Sequence, residues 1–216
     1  MTPIVITPPG TQPFTPANGI PHANPTPNGG WSSFRWTISE YRKLGEIGLF
    51  RDVKSMLIHG EIFTMATPDP PHDTALSLTQ EYLRSAFPTK HYVRNQQGFD
   101  IGLDNDPSPD LAVVEGSIRD YAKHTPTTAV LIVEISDTTL FKDITTKAEL
   151  HATAKVPEYW VIDLVNRQLH VFSDPVALPT GLGATAYRKH IVHAENDRIA
   201  SQAAPNATIR VAELLP

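Results

Sequence analysis

Glu134 is the residue of this chain hardest to explain without a function. It lies inside Leu131-Ile-Val-Glu-Ile135, flanked by apolar residues on both sides. An ionised carboxylate in a buried strand costs several kcal/mol unless a cation or a set of hydrogen bonds holds it. The plain alternative is an outward-facing carboxylate near a strand end, paired with an arginine. A second carboxylate has a similar address, because Asp110 ends the loop Pro107-Ser-Pro-Asp110 just where the apolar run Leu111–Val114 begins. The prolines stiffen that loop and fix the point at which the side chain emerges. Taken alone, Asp110 reads as a turn or strand-start aspartate. Taken together, two carboxylates on neighbouring strands can chelate one hard divalent ion.

Asp143 and Lys147 add a third element. They stand at i and i+4 on the helix expected directly after the Glu134 strand, so they share one face. As a surface ion pair they would be worth only a few tenths of a kcal/mol. Yet Ser136 begins the crossing from strand to helix, which can turn that face back over Glu134. A lysine so placed could orient a water nucleophile or stabilise the charge developing on a phosphorane.

Other patterns carry less. Asp104-x-Asp106-x-Ser108-x-Asp110 with Glu115 imitates a calcium loop, but Pro109 occupies the glycine position and an apolar strand follows. His190 and His193 are three apart in an expected strand and should face opposite ways. His72 follows a proline-rich stretch and is placed to approach Glu61, although a structural role is the better-supported reading. Tyr159-Trp160 suits core packing rather than base stacking. The chain has no Gly-rich phosphate loop and no Gly-x-Ser-x-Gly elbow, which leaves nucleotide-hydrolysing and serine-hydrolase readings unsupported.

These residues need a scaffold, and the sequence outlines one. A helix is expected over Thr37–Leu49, with a capping box between Thr37 and Glu40. A hairpin follows, Val53–His59 and Glu61–Met65 turning at Gly60, and then a helix from about Asp73 to Phe87. Strands are expected at His91–Arg94, Phe99–Leu103, Leu111–Val114 and Ala129–Ile135, the last rich enough in aliphatic residues to be covered on both faces. A helix over Leu140–Thr153 leads to strands Glu158–Asp163 and Gln168–Phe172. Residues 174–186 read as loop, with strands Tyr187–His193 and Thr208–Leu214 closing the chain. Mixed strand order with inserted helices indicates an α/β or α+β fold around a central mixed sheet.

The chain of 216 residues is long enough for one domain with a sizeable core. It has no cysteine, which excludes a disulfide scaffold, a zinc ribbon and a thiol nucleophile. No apolar run is long enough to span a membrane and no signal-peptide pattern opens the chain, so a cytoplasmic protein is expected. The first 34 residues hold no charged side chain, and eight of the 20 prolines lie in the first 30. We read 1–34 as an extended arm, either a disordered tail or, through Ile4, Val5, Ile6 and Phe14, a docking arm on a partner subunit. The domain proper would then be 35–216. A formal net charge of −5 argues against a strongly basic nucleic-acid binder. Four of its acids, Glu61, Asp110, Glu134 and Asp143, are candidate site residues, however, so the sum does not exclude a polyanionic partner.

Pro109-Asp110, Val133-Glu-Ile-Ser136, Asp143, Lys147 and Val156-Pro-Glu-Tyr-Trp-Val-Ile-Asp163, in that order, resemble the Uma2 family of restriction-endonuclease-like proteins, within the PD-(D/E)XK nuclease superfamily. His59-Gly-Glu-Ile62 looks like the family's early Gly-Glu hairpin, and Pro68–His72 like its Pro-rich stretch ending in His. The resemblance runs from about Thr37 to Pro216. It implies a restriction-endonuclease-like core, with an added N-terminal hairpin and C-terminal strands. It also implies a divalent ion, Mg²⁺ or Mn²⁺, on Asp110 and Glu134 with the Ile135 carbonyl nearby. Glu61 would be an accessory acid, Lys147 the lysine of the superfamily name, and Asp143, Ser136 and His72 supporting residues. The reaction implied is hydrolysis of a nucleic-acid phosphodiester, DNA first, by a metal-activated water; a homodimer is the expected assembly. Two positions depart from the pattern: Ser136 stands where the superfamily lysine would be, and His151 where family members commonly have Tyr. The rival expectation is a non-cleaving member that keeps the fold as a nucleic-acid- or protein-binding module.

Overall fold

The computed structural model describes residues 33–65, 67–102, 104–176 and 186–216. The arm residues Ile4, Val5, Ile6 and Phe14, the end of the expected strand at Leu103 and most of the 174–186 loop lie outside them.

Helix α1 (Ile38–Glu46) opens on the expected capping box, in which the Glu40 N–H donates to the Thr37 hydroxyl and the Thr37 N–H to the Glu40 carboxylate. Strands β1 (Lys54–Ile58) and β2 (Glu61–Met65) form an antiparallel hairpin of their own. Its two-residue turn, His59-Gly60, has both φ angles positive, 50° and 71°. Turns of this kind match the twist of the paired strands, and glycine adopts such φ values without a Cβ clash. The hairpin is pinned to the loop before Asp110: Leu57 and Asp106 exchange backbone hydrogen bonds, and the Gly60 N–H donates to the Asp104 carbonyl. Those acids therefore anchor a hairpin and form no calcium loop.

Helix α2 (Pro70–Ala86) starts three residues earlier than expected. Asp69 caps it, and Pro70 and Pro71 fill its first turn, where their missing N–H groups have no intrahelical role. Strands β3 (His91–Asn95), β4 (Leu111–Glu115), β5 (Leu131–Ser136), β6 (Glu158–Asp163), β7 (Gln168–Pro175) and β8 (Tyr187–Ala194) form one six-stranded sheet in the order β3-β4-β5-β6-β7-β8. Only β5 and β6 are parallel, as the helical crossover between them requires. That crossover runs without a break through α3 (Leu140–Lys142), a π-helical turn (Asp143–Lys147) and α4 (Ala148–Thr153). Two expected strands are corrected. Phe99–Leu103 is coil in its described part; Phe99 is buried, and its N–H goes to the Pro107 carbonyl rather than to a sheet. Thr208–Leu214 holds only the two-residue β10 (Ile209–Arg210), paired with β9 (Arg198–Ile199), before a 3₁₀ turn (Val211–Leu214).

Trp36–Pro216 forms one unit with apolar layers on both faces of the sheet. Leu131, Val133 and Ile135 pack with Leu76, Leu83, Trp160, Ile162 and Leu214. Ile132 faces the other way, with Ala148, Ala152, Tyr159, Val161 and Phe172. Alternation puts Glu134 on this second face, under the crossover helix. The outward-facing alternative for Glu134 is thereby excluded: the residue is only 4% exposed. Tyr159 and Trp160 are wholly buried. Trp160 donates its indole N–H to Glu158, which also accepts from Ser201 and the Gln202 N–H, so this buried carboxylate is satisfied. Among the described residues no helix is long and apolar enough to cross a membrane.

Candidate active site

Where β4 and β5 meet, the sheet brings the two key carboxylates side by side. The ladder pairs Leu111 with Val133, and one further step sets Asp110 opposite Glu134. Directly opposed residues in such a ladder have Cβ atoms about 4.5–5.5 Å apart. Asp110 Oδ2 accepts from the Ile135 N–H at 2.9 Å and lies 3.3 Å from His72 Nε2. Asp110 Oδ1 accepts from the Gln96 side-chain amide at 3.1 Å. Burial alone would raise the Asp110 carboxyl, but the His72 hydrogen bond, the Ile135 N–H and the charges of His72 and Lys147 outweigh it and hold the group below its usual range. The same hydrogen bond raises His72, against its partial burial. His72 thus serves Asp110.

Glu134 has the crossover helix as its counterpart. Lys147 Nζ lies 3.0 Å from Glu134 Oε2 and 2.8 Å from Asp143 Oδ1. Asp143 is fully buried, and its Oδ2 accepts from Thr139 at 2.6 Å. The π-helical turn spans Asp143 to Lys147, and the buried Tyr159 hydroxyl donates to the Asp143 carbonyl at 2.9 Å. Such turns are rare inside helices and concentrate at functional positions. Burial pushes the Glu134 carboxyl up, against the pull of the Lys147 ammonium. Burial would lower Lys147, but the charges of Glu134 and Asp143 prevail and keep it cationic. The surface-pair reading of Asp143 and Lys147 is therefore replaced by a buried triad with Glu134.

A cavity of about 440 Å³ opens over these groups. Asp110, Glu134, Ile135, Asp143, Lys147 and His72 all line it. Glu61 does not; it stands exposed at the start of β2, paired with Ile58. Ser136 is buried behind the cavity, facing Thr139 and outside the lining. Among the lining residues not read from the sequence, three bear on the acids. Gln96 and Thr139 hold the acids, and Lys54 reaches the cavity from β1, where burial lowers its amine against the opposing pull of Asp110 and Glu134. The alternation Lys54-Met56-Ile58, all on the cavity side, was the available signal. His190 and His193 part company as expected: His190 stacks on Phe172 with 4.0 Å between centroids, and His193 sits 3.7 Å from Asp197.

Among the described residues, no group of three or more His, Cys, Asp or Glu side chains is arranged to hold an ion. Asp110 and Glu134 form a donor set of hard oxygens only. Mg²⁺ is commonly held by one or two carboxylates, with waters and substrate phosphates completing its shell, so this pair fits that ion.

The Uma2 family model, described as "Putative restriction endonuclease", matches residues 38–212, a span that contains the whole cavity. The chain belongs to the Uma2 family. The fold agrees: the crystal structure of "a putative nuclease belonging to DUF820" from Anabaena variabilis superimposes with a TM-score of 0.63 at 16% identity, covering 82% of this chain and 96% of that one. At that identity the likeness speaks for the fold alone. No curated protein matches this Uma2 chain. Ser136 stands at the position of the superfamily lysine, and the ammonium beside Glu134 is that of Lys147, at the end of the π turn.

Proposed function

We propose that this Uma2 protein is a divalent-metal-dependent endonuclease that hydrolyses phosphodiester bonds, with DNA as substrate and Mg²⁺ or Mn²⁺ as the ion. The observation that carries the reading is the convergence of Asp110, Glu134 and Lys147 on one cavity at the β4–β5 junction. Asp110 and Glu134, with the Ile135 carbonyl, would hold the ion, which supplies a Lewis acid and lowers the pKa of a water. The chain's own groups do the rest. His72, Gln96 and the Ile135 N–H fix the Asp110 carboxylate, so that little reorientation is needed when substrate arrives. Lys147 keeps Glu134 in place and puts a positive charge beside the reacting phosphate. Asp143, held by Thr139, keeps Lys147 from swinging away. Glu61 remains an accessory acid only if substrate or ion draws it toward the cavity, and Ser136 supports the bend into the helix. A cytoplasmic location, a homodimer and an arm over 1–34 preceding the domain belong to the same proposal.

The test is a cleavage assay on single-stranded, duplex and branched DNA with Mg²⁺, Mn²⁺ or EDTA. Metal-dependent product that vanishes in Glu134→Ala and Lys147→Ala is expected. In parallel, either ion should raise the melting temperature of the wild type and leave that of Asp110→Ala unmoved; saturation at a hundred times Kd corresponds to about 2.7 kcal/mol. Absence of any product above the variants would favour the rival, a non-cleaving binding module.

A further inference from the structure

The cavity has a wall that phosphodiester chemistry does not require. Lys54, Met56 and Ile58 alternate along β1, and the hairpin register sets Met65 opposite Lys54 and Phe63 opposite Met56. All five line the cavity, so one face of the hairpin turns a lysine followed by a thioether and aromatic surface toward the carboxylates. Phosphate has no favourable partner among Met56, Ile58, Phe63 and Met65, whereas the flat π face of a base does. The wall's cations are placed for a phosphate. Among the described residues no carboxylate lies within ion-pair distance of Lys54, whereas Lys147 is engaged by two. The exposed Lys142 Nζ stands 5.8 Å from the centroid of the Phe63 ring. The acids at the other side of the cavity are 7% exposed for Asp110 and 4% for Glu134, so a strand must send a nucleotide inward to meet them.

We propose that this cavity takes an unpaired nucleotide, its base against the Met56–Phe63 wall and its phosphate between Lys54 and the Asp110–Glu134 pair. The preferred substrate is then a single strand, or an extrahelical nucleotide, rather than an intact duplex. Along β1 the Lys54 and Met56 side chains stand two residues apart, roughly 7 Å. A nucleotide bridges that step when its phosphate meets the lysine and its base meets the thioether. In a duplex the base is stacked and paired, and it reaches such a wall only at the cost of leaving the stack. The proposal deepens the nuclease reading and rests on it for the orientation of the phosphate.

The full chain is tested by fluorescence anisotropy with a short labelled DNA strand, its duplex, and the same strand carrying abasic sites, in Ca²⁺. Cleavage in Mg²⁺ is scored separately. The single strand should bind about tenfold tighter than the duplex, within the range that stacking of one base supports. Phe63→Leu should weaken the intact strand by about tenfold and leave the abasic strand unchanged, whereas Phe63→Tyr keeps the ring and the preference. Lys54→Met should weaken intact and abasic strands alike and reduce the salt dependence by about one phosphate contact. Met56→Thr reports on the same wall should Phe63→Leu lower the melting temperature. Equal or tighter binding of the duplex, or equal loss on intact and abasic strands in Phe63→Leu, would overturn the pocket. Cleavage that prefers duplex removes the pocket and leaves the nuclease reading standing. Base-dependent binding with no metal-dependent cleavage removes the nuclease reading alone.

Discussion

Replacing His151 by phenylalanine should flatten the acid side of this protein's stability profile. His151 lies on α4, fully buried against Phe99 and Tyr159, and neither ring nitrogen has a hydrogen-bond partner among the described residues. Burial, reinforced by the Lys147 charge, pushes its pKa down to about 3. In the unfolded chain a histidine titrates near 6.5. Between those values the unfolded chain binds a proton that the folded one refuses, so stability is lost as pH falls from about 6.5 toward 3. The slope is about 1.4 kcal/mol per pH unit, which makes the loss about 2 kcal/mol at pH 5 and about 5 kcal/mol once pH 3 is reached. Carboxylates titrate in the same window, but they do so equally in the variant, and the difference between the two profiles isolates His151. Chemical denaturation of both proteins from about pH 8 to pH 5 should therefore show curves that diverge by about 2 kcal/mol, the wild type falling faster. At neutral pH the variant should also gain about 1–3 kcal/mol, because two unsatisfied nitrogens leave the core. Parallel profiles would show that His151 finds a proton partner in the folded state, and the account of an unpartnered buried imidazole would fail.

Lys147→Met strands Glu134 and Asp143 without their cation and should cost about 3–5 kcal/mol at pH 8, as for other broken buried pairs. The deficit should shrink toward pH 5, where Glu134 can take a proton; a constant deficit would mean that the ammonium contributes packing rather than charge. Gly60→Ala places a Cβ at φ 71° in the hairpin turn and should cost about 1–2 kcal/mol in urea unfolding. No measurable change would show that the turn relaxes freely. Glu158→Gln leaves only one oxygen to accept from Trp160, Ser201 and the Gln202 N–H. A loss of about 2 kcal/mol is expected, followed by intrinsic tryptophan fluorescence during unfolding; an unchanged midpoint would remove Glu158 from the structural account.

Much of the site could be read along the chain, because its strongest signals are local. A carboxylate inside an aliphatic strand is conspicuous wherever that strand ends up, and an i, i+4 acid–lysine pair keeps its spacing on any helix. Where the reading went astray, the competing signals were local as well. The prolines before His72 read as a break, although Asp69 ahead of them is a cap and prolines suit a first turn. Ile209, Val211 and Leu214 read as a strand, yet their apolar spacing serves equally well a 3₁₀ turn packed in the α2 layer.

Partnerships across the fold belong to another level. His72 and Asp110 are 38 residues apart, and their contact exists because the α2 N-terminus comes to rest over the β4–β5 junction. Lys54 enters the cavity only because backbone bonds to Asp104 and Asp106 dock the hairpin there. Glu61, one turn away on the same hairpin, is left outside by the same docking. Hydrophobic alternation and capping follow from neighbouring residues, so sequence by itself determined most of the strands and helices and marked Glu134 as an acid in an apolar strand. Which cations meet those acids depends on how separately formed elements pack. Here only the tertiary structure decided that Lys147 would be held by Glu134 and Asp143, while Lys54 faces the cavity with no carboxylate, among the described residues, close enough to pair with it.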